Sequence, residues 1–302
     1  MADRAGPDVR VAALVFDPNP IEVLRPGQAP PRLTSFEQKR ELLVRAGVDD
    51  VHQLEPTISL LGETPEQFMG EILKRHNMIG IVEGPDFHFG KGRGGTAETL
   101  KALGSKMGFM VEVVEPVSVV LNDHTIAPAR STMVRWLLNN GRVADAARVM
   151  GHRYVMEGEV VRGDRRGRAI GFPTANLRSS HMIPADGVYS GIGRVADGRS
   201  FAAAISIGTK PTFGEHARAV EAVLLTEGWG VGSMWLPLPS LPEYGWRLAL
   251  EFHGWVRDQV KFDSLPQLLD QLGRDCAAVQ GVIDPNGQAH AALSSGGTEV
   301  TS

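Results

Sequence analysis

Residues 158–177 read GEVVRGDRRGRAIGFPTANL: the end of one strand, a turn rich in glycine and arginine, and the start of a second strand. The run that leads into it, YVMEGEVV at 154–161, is followed by GVYSGIGRV, FAAAISIG, AVEAVLL and RLALEFHGWV, short runs with β-branched and aromatic residues, set off by Gly and Pro turns. Strands of that length and spacing predict an antiparallel barrel over residues 151–280. A helical stripe at Leu265, Leu268, Leu269 and Leu272 predicts a closing helix from Ser264 to Gln280. Residues 281–302, rich in Gly, Ser, Ala and Thr, are expected to be a disordered tail.

Upstream the grammar changes. VAALVF, VDDVHQL, IGIVE and MVEVVE alternate with helical patterns opening at Ser35, Thr64 and Thr96, which predicts βαβ units and a parallel, doubly wound sheet. Thr64 followed by Pro65 and Gln67 has the form of a capping box, and Gly47 and Gly108 stand where helices end. Two short helices, about Thr132–Asn139 and Val143–Met150, lead to Gly151, so residues 1–150 form the first domain.

The chain has 302 residues, enough for two cores. Its formal net charge of −4, with no long basic run, gives no electrostatic footprint for nucleic acid. No apolar run spans a bilayer and MADRAGPDVR lacks the apolar centre of a signal peptide, so a cytoplasmic location and no membrane partner are expected. The single cysteine, Cys276, excludes an internal disulfide and reads as a small buried hydrophobe.

Two glycine motifs are decoys. Residues 84–91 resemble a Walker A loop, but the spacing is long by one and Gly92 stands where a hydroxyl belongs. Gly90, Gly92 and Gly95 fit G-x-G-x-x-G, yet PDFHF separates them from the preceding strand, which spoils the tight turn of a dinucleotide site.

The 158–177 stretch carries more. Gly163, Gly167 and Gly171 admit close approach of an anion, and Arg165, Arg166 and Arg168 supply charge; read alone, the segment is either a phosphate cradle or a basic hairpin turn. Pro173-Thr174-Ala175-Asn176 then sets a hydroxyl and an amide two residues apart, on one face of an extended strand. Such oxygen donors suit Mg²⁺, which takes few protein ligands and completes its shell with water and phosphate.

GRAIGFPTANL, then PADGVYSG, IGTKPTFG and the Glu of AVEAVLL, resemble in order the riboflavin kinase module of bacterial bifunctional riboflavin kinase/FAD synthetases. Tyr244-Gly245, Arg257 before Lys261-Phe262, and Asp275 extend the likeness. The resemblance implies a Greek-key barrel that phosphorylates riboflavin to FMN with ATP and Mg²⁺. It implies that Thr174 and Asn176 hold the metal, and that Gly163, Gly167, Arg168, Gly171 and Pro173 join them around ATP. Glu221 is implied as the general base, read as facing the barrel interior among Val220, Ala222 and Val223. Asp186, Gly187, Tyr189, Thr209, Pro211, Thr212, Phe213 and Arg257 are implied around the flavin.

The first 150 residues resemble the family's Rossmann-like FMN adenylyltransferase domain in FDPNPIEVLRPGQAPPRLTSFEQK, in PDFHFGKGRGG and in Arg130-Ser131-Thr132-Met133-Val134-Arg135. The likeness places Asp86 and Phe87 at nucleotide or flavin and Ser131, Thr132 and Arg135 at ATP phosphates. Asn19 replaces a His of the family's DPHP turn, and Arg130-Ser131 replaces its paired serines. The family's first strand and phosphate loop have no counterpart in these residues, so adenylyl transfer is expected to be impaired, or complete if the start lies upstream. A flavin- or nucleotide-binding protein without catalysis is the remaining alternative. EGWGVGSMWLPLPSLPE, between Glu221 and Tyr244, reads as an added loop whose Trp229 and Trp235 could cover a flavin ring.

Overall fold

The computed structural model describes residues 9–163, 174–209, 218–225 and 241–283. Two compact units divide between Ser118 and Val119.

In the first unit, β1 (Ala12–Phe16) runs parallel to β2 (Asp50–Leu54), and β3 (Gly80–Glu83) runs parallel to β4 (Met110–Val113). Between them come α1 (Pro20–Leu24), α2 (Phe36–Arg45), α3 (Ile58–Leu61), α4 (Pro65–His76) and α5 (Ala97–Met107). The caps that the sequence signals are made. Ser35, Thr64 and Thr96 each accept from the backbone N–H three residues on, and Gln67 returns the bond to Thr64. The core sits on the helices: Phe68, Met69 and Ile72 of α4 meet Leu100 and Leu103 of α5, and Leu14, Phe16, Ile81 and Val111 pack against them.

The parallel strands and alternating helices are those of the expected Rossmann-like class, but the pairing is narrower than one continuous sheet. Among the described residues β1 and β3 each have a partner on one side. No residue of β1 to β4 is fully buried, whereas strands of parallel sheets are ordinarily covered on both faces. In the two decoy motifs the glycines serve local backbone geometry. Gly90 and Gly92 have φ of 69° and 63°, and a Cβ on Gly95 would meet the Phe89 ring at 2.7 Å.

At the division lies the short strand β5 (Ser118–Val120), paired with β6 (Ile126–Pro128), two strands that the sequence patterns do not mark; α6 (Ser131–Asn139) and α7 (Val143–Met150) follow in the second unit. Gly151 ends α7 in the left-handed region, at φ 75°. Six strands then close a barrel: β7 (Tyr154–Val161), β8 (Ala175–Arg178), β9 (Gly187–Val195), β10 (Ser200–Thr209), β11 (Arg218–Leu225) and β12 (Arg247–Arg257), in the order β10-β11-β8-β7-β12-β9. Every adjacent pair is antiparallel, and β12 returns to lie between β7 and β9, which is Greek-key rather than meander connectivity.

Side chains alternate across this ladder. Tyr154, Met156, Tyr189, Ile205, Ile207, Leu248, Leu250 and Phe252 fill the interior and are fully buried. The opposite face carries Ile192, Ala202, Ala204, Val223 and Leu225, covered by Cys276 and Val279 of α8 (Leu265–Gln280) and by Ile283 beyond it. The seat of α8 is therefore shifted along the expected leucine stripe: Leu269 and Leu272 pack, while Leu265 is exposed. Cys276 is buried as read, and burial, with Asp275 adding to it, pushes its thiol up to about 12. The insert with Trp229 and Trp235, and all but the first residues of the expected tail, lie outside the described residues.

On β12, Glu251 accepts from His253 at 2.7 Å and from Arg194 of β9 at 3.0 Å. The His253 hydrogen bond first, and Arg194 with it, hold the Glu251 carboxyl down to about 2 against the cost of burial. A depressed carboxylate adds stability above its unfolded value near 4.5, and that stability drains away as pH falls toward about 2. Glu251→Gln should therefore lower stability at pH 6, and the gap from wild type should close as denaturation is followed down to pH 3. A gap that stays constant would refute this role.

Candidate functional site

Barrel closure aligns one row of residues across four strand pairs. Asn176 on β8 stands opposite Glu221 on β11, Glu221 stands opposite Ser206 on β10, Ser206 opposite Val188 on β9, and Val188 opposite Arg257 on β12. Directly opposed residues share a face of the sheet. Val220 and Ala222, the neighbours of Glu221, are the ones pointing inward among the buried side chains. The expectation that Glu221 faces the interior is thus corrected: strict alternation sends it to the α8 side, where it is half-buried.

The glycine-rich segment meets this row at Gly163. A Cβ there would overlap the Asn176 amide, so glycine lets the Asn176 side chain lie against the backbone at the segment's edge. The Asn176 amide nitrogen also reaches the carbonyl of Thr174 at 3.5 Å. Gly163, Thr174, Asn176 and Glu221 are brought together; Gly167, Arg168, Gly171 and Pro173 lie outside the described residues. A hydroxyl, an amide oxygen and a carboxylate are hard oxygen donors few in number, a set that fits Mg²⁺ shared with phosphate rather than a soft metal held by protein alone. Among the described residues no group of three His, Cys, Asp or Glu could hold a metal ion.

A second cluster forms around the turn into β9. Arg218, at the start of β11 and opposite Thr209, donates to Asp186 at 2.6 Å, to the Ile183 carbonyl at 3.2 Å and to the Pro184 carbonyl. Its guanidinium pins three acceptors of one segment. The Tyr189 hydroxyl donates to the Ala185 carbonyl at 2.5 Å, and burial pushes its ionisation upward. Trp255 stands edge-on to Tyr189 with ring centres 5.0 Å apart and lies over Gly187, where a Cβ would approach it to 2.6 Å. The same indole covers Gly141, between α6 and α7. Gln259 donates to the Ser206 hydroxyl at 2.8 Å, to the Ile207 carbonyl at 3.0 Å and, more weakly, to the Gly187 carbonyl at 3.5 Å. Asp186, Gly187, Tyr189 and Thr209 thus sit together, while Pro211, Thr212 and Phe213 lie outside the described residues. Arg257 is engaged elsewhere, its Nε and Nη2 donating to the buried Asp275 of α8 at 2.8 and 2.6 Å, its Nη1 to the Asp258 carbonyl at 2.8 Å, with its face over Phe262.

Arg218, Trp255, Ser206 and Gln259 escaped the sequence reading. Their partners lie 32 to 72 positions away in several cases, and no local pattern marks them. Of the residues assigned to adenylyl transfer, Asp86 is exposed on the loop after β3, and Phe87 stacks on Phe89 at 5.3 Å and packs into the first unit's core. Ser131 and Thr132 are exposed in the first turn of α6; Arg135 is half-buried one turn on, its pKa lowered by burial.

Comparison with known proteins finds relatives of both parts of the chain. A riboflavin kinase family model matches residues 150–283, and an FAD synthetase family model matches residues 2–128. The bifunctional riboflavin kinase/FMN adenylyltransferase of Escherichia coli K12 is 30% identical over 271 residues, covering 88% of this chain and 80% of its own. The chain belongs to this family of enzymes. The Bacillus subtilis relative of the same name is also 30% identical, over 273 residues, with 88% of this chain and 80% of its own covered. A crystal structure described as a macrolide-efflux protein from Streptococcus pneumoniae superposes with a TM-score of 0.71 at 27% identity, over 90% of this chain and 84% of that one. Among the described residues here, no helix is long and apolar enough to cross a membrane. Family membership makes ATP, riboflavin and FMN the small molecules to consider.

Removing the Arg218 clamp should free the 183–186 segment. With this turn at the flavin, as the family likeness implies, Arg218→Ala is expected to raise the riboflavin KM about tenfold or more, on the scale of a lost charge-assisted hydrogen bond, with a smaller effect on the KM for ATP. Steady-state kinetics in both substrates checks this, and an ATP effect as large as the riboflavin effect would contradict the placement.

Proposed function

We propose that the barrel transfers the γ-phosphoryl group of MgATP to the ribityl 5'-hydroxyl of riboflavin, giving FMN and ADP. The observation that supports this most is the register of β8 against β11, which sets Asn176 opposite Glu221 at the edge of the Gly163 segment. A primary alcohol is a poor nucleophile near neutral pH, so a carboxylate beside the phosphate site has a task. Glu221 takes the hydroxyl proton as the new O–P bond forms and the bond from the γ-phosphorus to the bridging oxygen breaks, the leaving electrons remaining on ADP. Thr174 and Asn176 would hold Mg²⁺, which when bound neutralises charge on the phosphates. Gly163 leaves room for the Asn176 side chain beside the phosphates, and the Asp186–Tyr189 turn, clamped by Arg218, orients the flavin. In-line placement of the two reactants is what this kind of site contributes to rate.

The adenylyl half is proposed to be the slower activity. Asn19, where the family pattern has His, caps α1 by accepting from the Ile21 N–H at 2.9 Å. A neutral amide committed to a cap offers no positive charge to a developing phosphate anion.

Incubation with ATP, Mg²⁺ and either riboflavin or FMN, with products separated chromatographically, should show FMN formed from riboflavin faster than FAD from FMN. Equal rates would overturn the second proposal, and no FMN would overturn the first. Glu221→Gln should lower kcat about 100- to 10,000-fold while riboflavin binding stays near normal. Thr174→Ala and Asn176→Asp should alter the Mg²⁺ and ATP dependence together; a change confined to the riboflavin KM would move both residues to the flavin site.

A further inference from the structure

Trp255 lies in β12 between two breaks in the pairing with β9: the register shifts between Phe252 and Gly254 and again between Trp255 and Arg257. Such bulges re-aim side chains that a regular ladder would point elsewhere. The backbone makes room for the indole on two sides. Gly187, at the start of β9, and Gly141, between α6 and α7, both face its six-membered ring; a Cβ on Gly187 would approach that ring to 2.6 Å, and a Cβ on Gly141 would overlap it. Gly141 also holds φ at 71°, in the left-handed region that favours glycine. Tyr189, opposite Trp255 in register, meets the indole edge-on with ring centres 5.0 Å apart. The ring is held on three sides although the residue stays 39% exposed.

Two hydrogen bonds run beside this wedge. The Ala185 N–H donates to the Leu138 carbonyl in the last turn of α6 at 2.8 Å, and the Tyr189 hydroxyl donates to the Ala185 carbonyl at 2.5 Å. Arg218 holds the same segment from β11, through Asp186 and the carbonyls of Ile183 and Pro184. The 183–189 segment therefore has two supports, a charged one from β11 and a packed one from the end of α6, with Trp255 between the glycines of the second. We propose that Trp255 is a positioning residue of the riboflavin site: seated between Gly141 and Gly187, it braces the 185–189 turn against the α6–α7 turn, so that the flavin meets a surface already ordered. It acts through the backbone of Gly187 and touches no reacting atom. A turn ordered before binding spares the ligand the cost of ordering it. The inference rests on the reading of this turn as the flavin's. It also brings Leu138 and Gly141, from a stretch read in sequence as the end of the first domain, into the kinase site of the second unit.

Trp255→Ala should raise the riboflavin KM about 5- to 30-fold, the scale of ordering one or two backbone residues at each binding event, with kcat within about threefold of wild type and the KM for ATP unchanged. Trp255→Phe, which keeps an aromatic ring at this position, should raise it less. Gly141→Ala, which puts a Cβ where the indole lies, should raise the riboflavin KM in the same direction. Thermal melting of each variant establishes that it is folded, and titration of riboflavin by its own fluorescence reads binding apart from turnover. The deciding measurement is a double-mutant cycle: in a Trp255→Ala background the ring that Gly141→Ala displaces is gone, so the second substitution should raise the riboflavin KM little further. An unchanged riboflavin KM in Trp255→Ala, an equal rise in the KM values for riboflavin and ATP, or independent effects of the two substitutions would overturn the proposal and leave the kinase reading standing. An unchanged riboflavin KM in Arg218→Ala as well would instead move the turn out of the flavin site, the reading on which this inference rests.

Discussion

The hydrogen-bonded closure of six antiparallel strands is the constraint on which the second unit depends. Once β10, β11, β8, β7, β12 and β9 are locked in register, each side chain has only one of two destinations. One set fills the interior with Tyr154, Met156, Tyr189, Ile205 and Phe252; the other faces α8 or solvent. A slip of one residue in β11 would exchange Glu221 with Val220 or Ala222, burying a charge and exposing an apolar side chain. The apolar pattern therefore enforces the position of the carboxylate as a by-product of packing.

The same closure explains why distant segments meet. β8 and β11 are separated by more than 40 positions yet place Asn176 and Glu221 side by side. β12 returns between β7 and β9, which carries Trp255 over Gly187 and sets Gln259 against Ser206. Arg257, which family likeness puts at the flavin, is tied to Asp275, a carboxylate only 3% exposed. A buried carboxylate needs such a partner, since leaving it unpaired would cost several kcal/mol. The pair anchors α8 to the barrel and fixes the start of the segment that bears Gln259.

The first unit is built on a different balance. Its apolar core lies among α4, α5 and the loop bearing Phe87 and Phe89, and its strands are half-buried pairs rather than members of one covered sheet. Caps compensate locally: Asn19, Ser35 and Thr64 each close a capping box, and each such box satisfies backbone donors that short helices otherwise leave to water.

Much of this was legible in the sequence, because the signals are local. YVMEGEVV and GVYSGIGRV coincide with β7 and β9 as read, Thr64-Pro65-Gln67 forms the cap it spells, and Gly151 ends α7. Period-2 and period-3.6 patterns and capping residues act over a few positions, so the chain itself determined its strands and helices. The ordered motifs around Thr174, Asn176 and Glu221 likewise pointed to the family before any coordinates. Facing and pairing were decided only by the tertiary structure. The sequence put Glu221 among Val220, Ala222 and Val223 without saying which side was inside, and it gave no sign of Arg218 on Asp186 or Gln259 on Ser206. Those contacts join residues 32 and 53 positions apart, and their existence depends on strand order and register, which are set by burying all six strands at once rather than by any residue's neighbours in the chain.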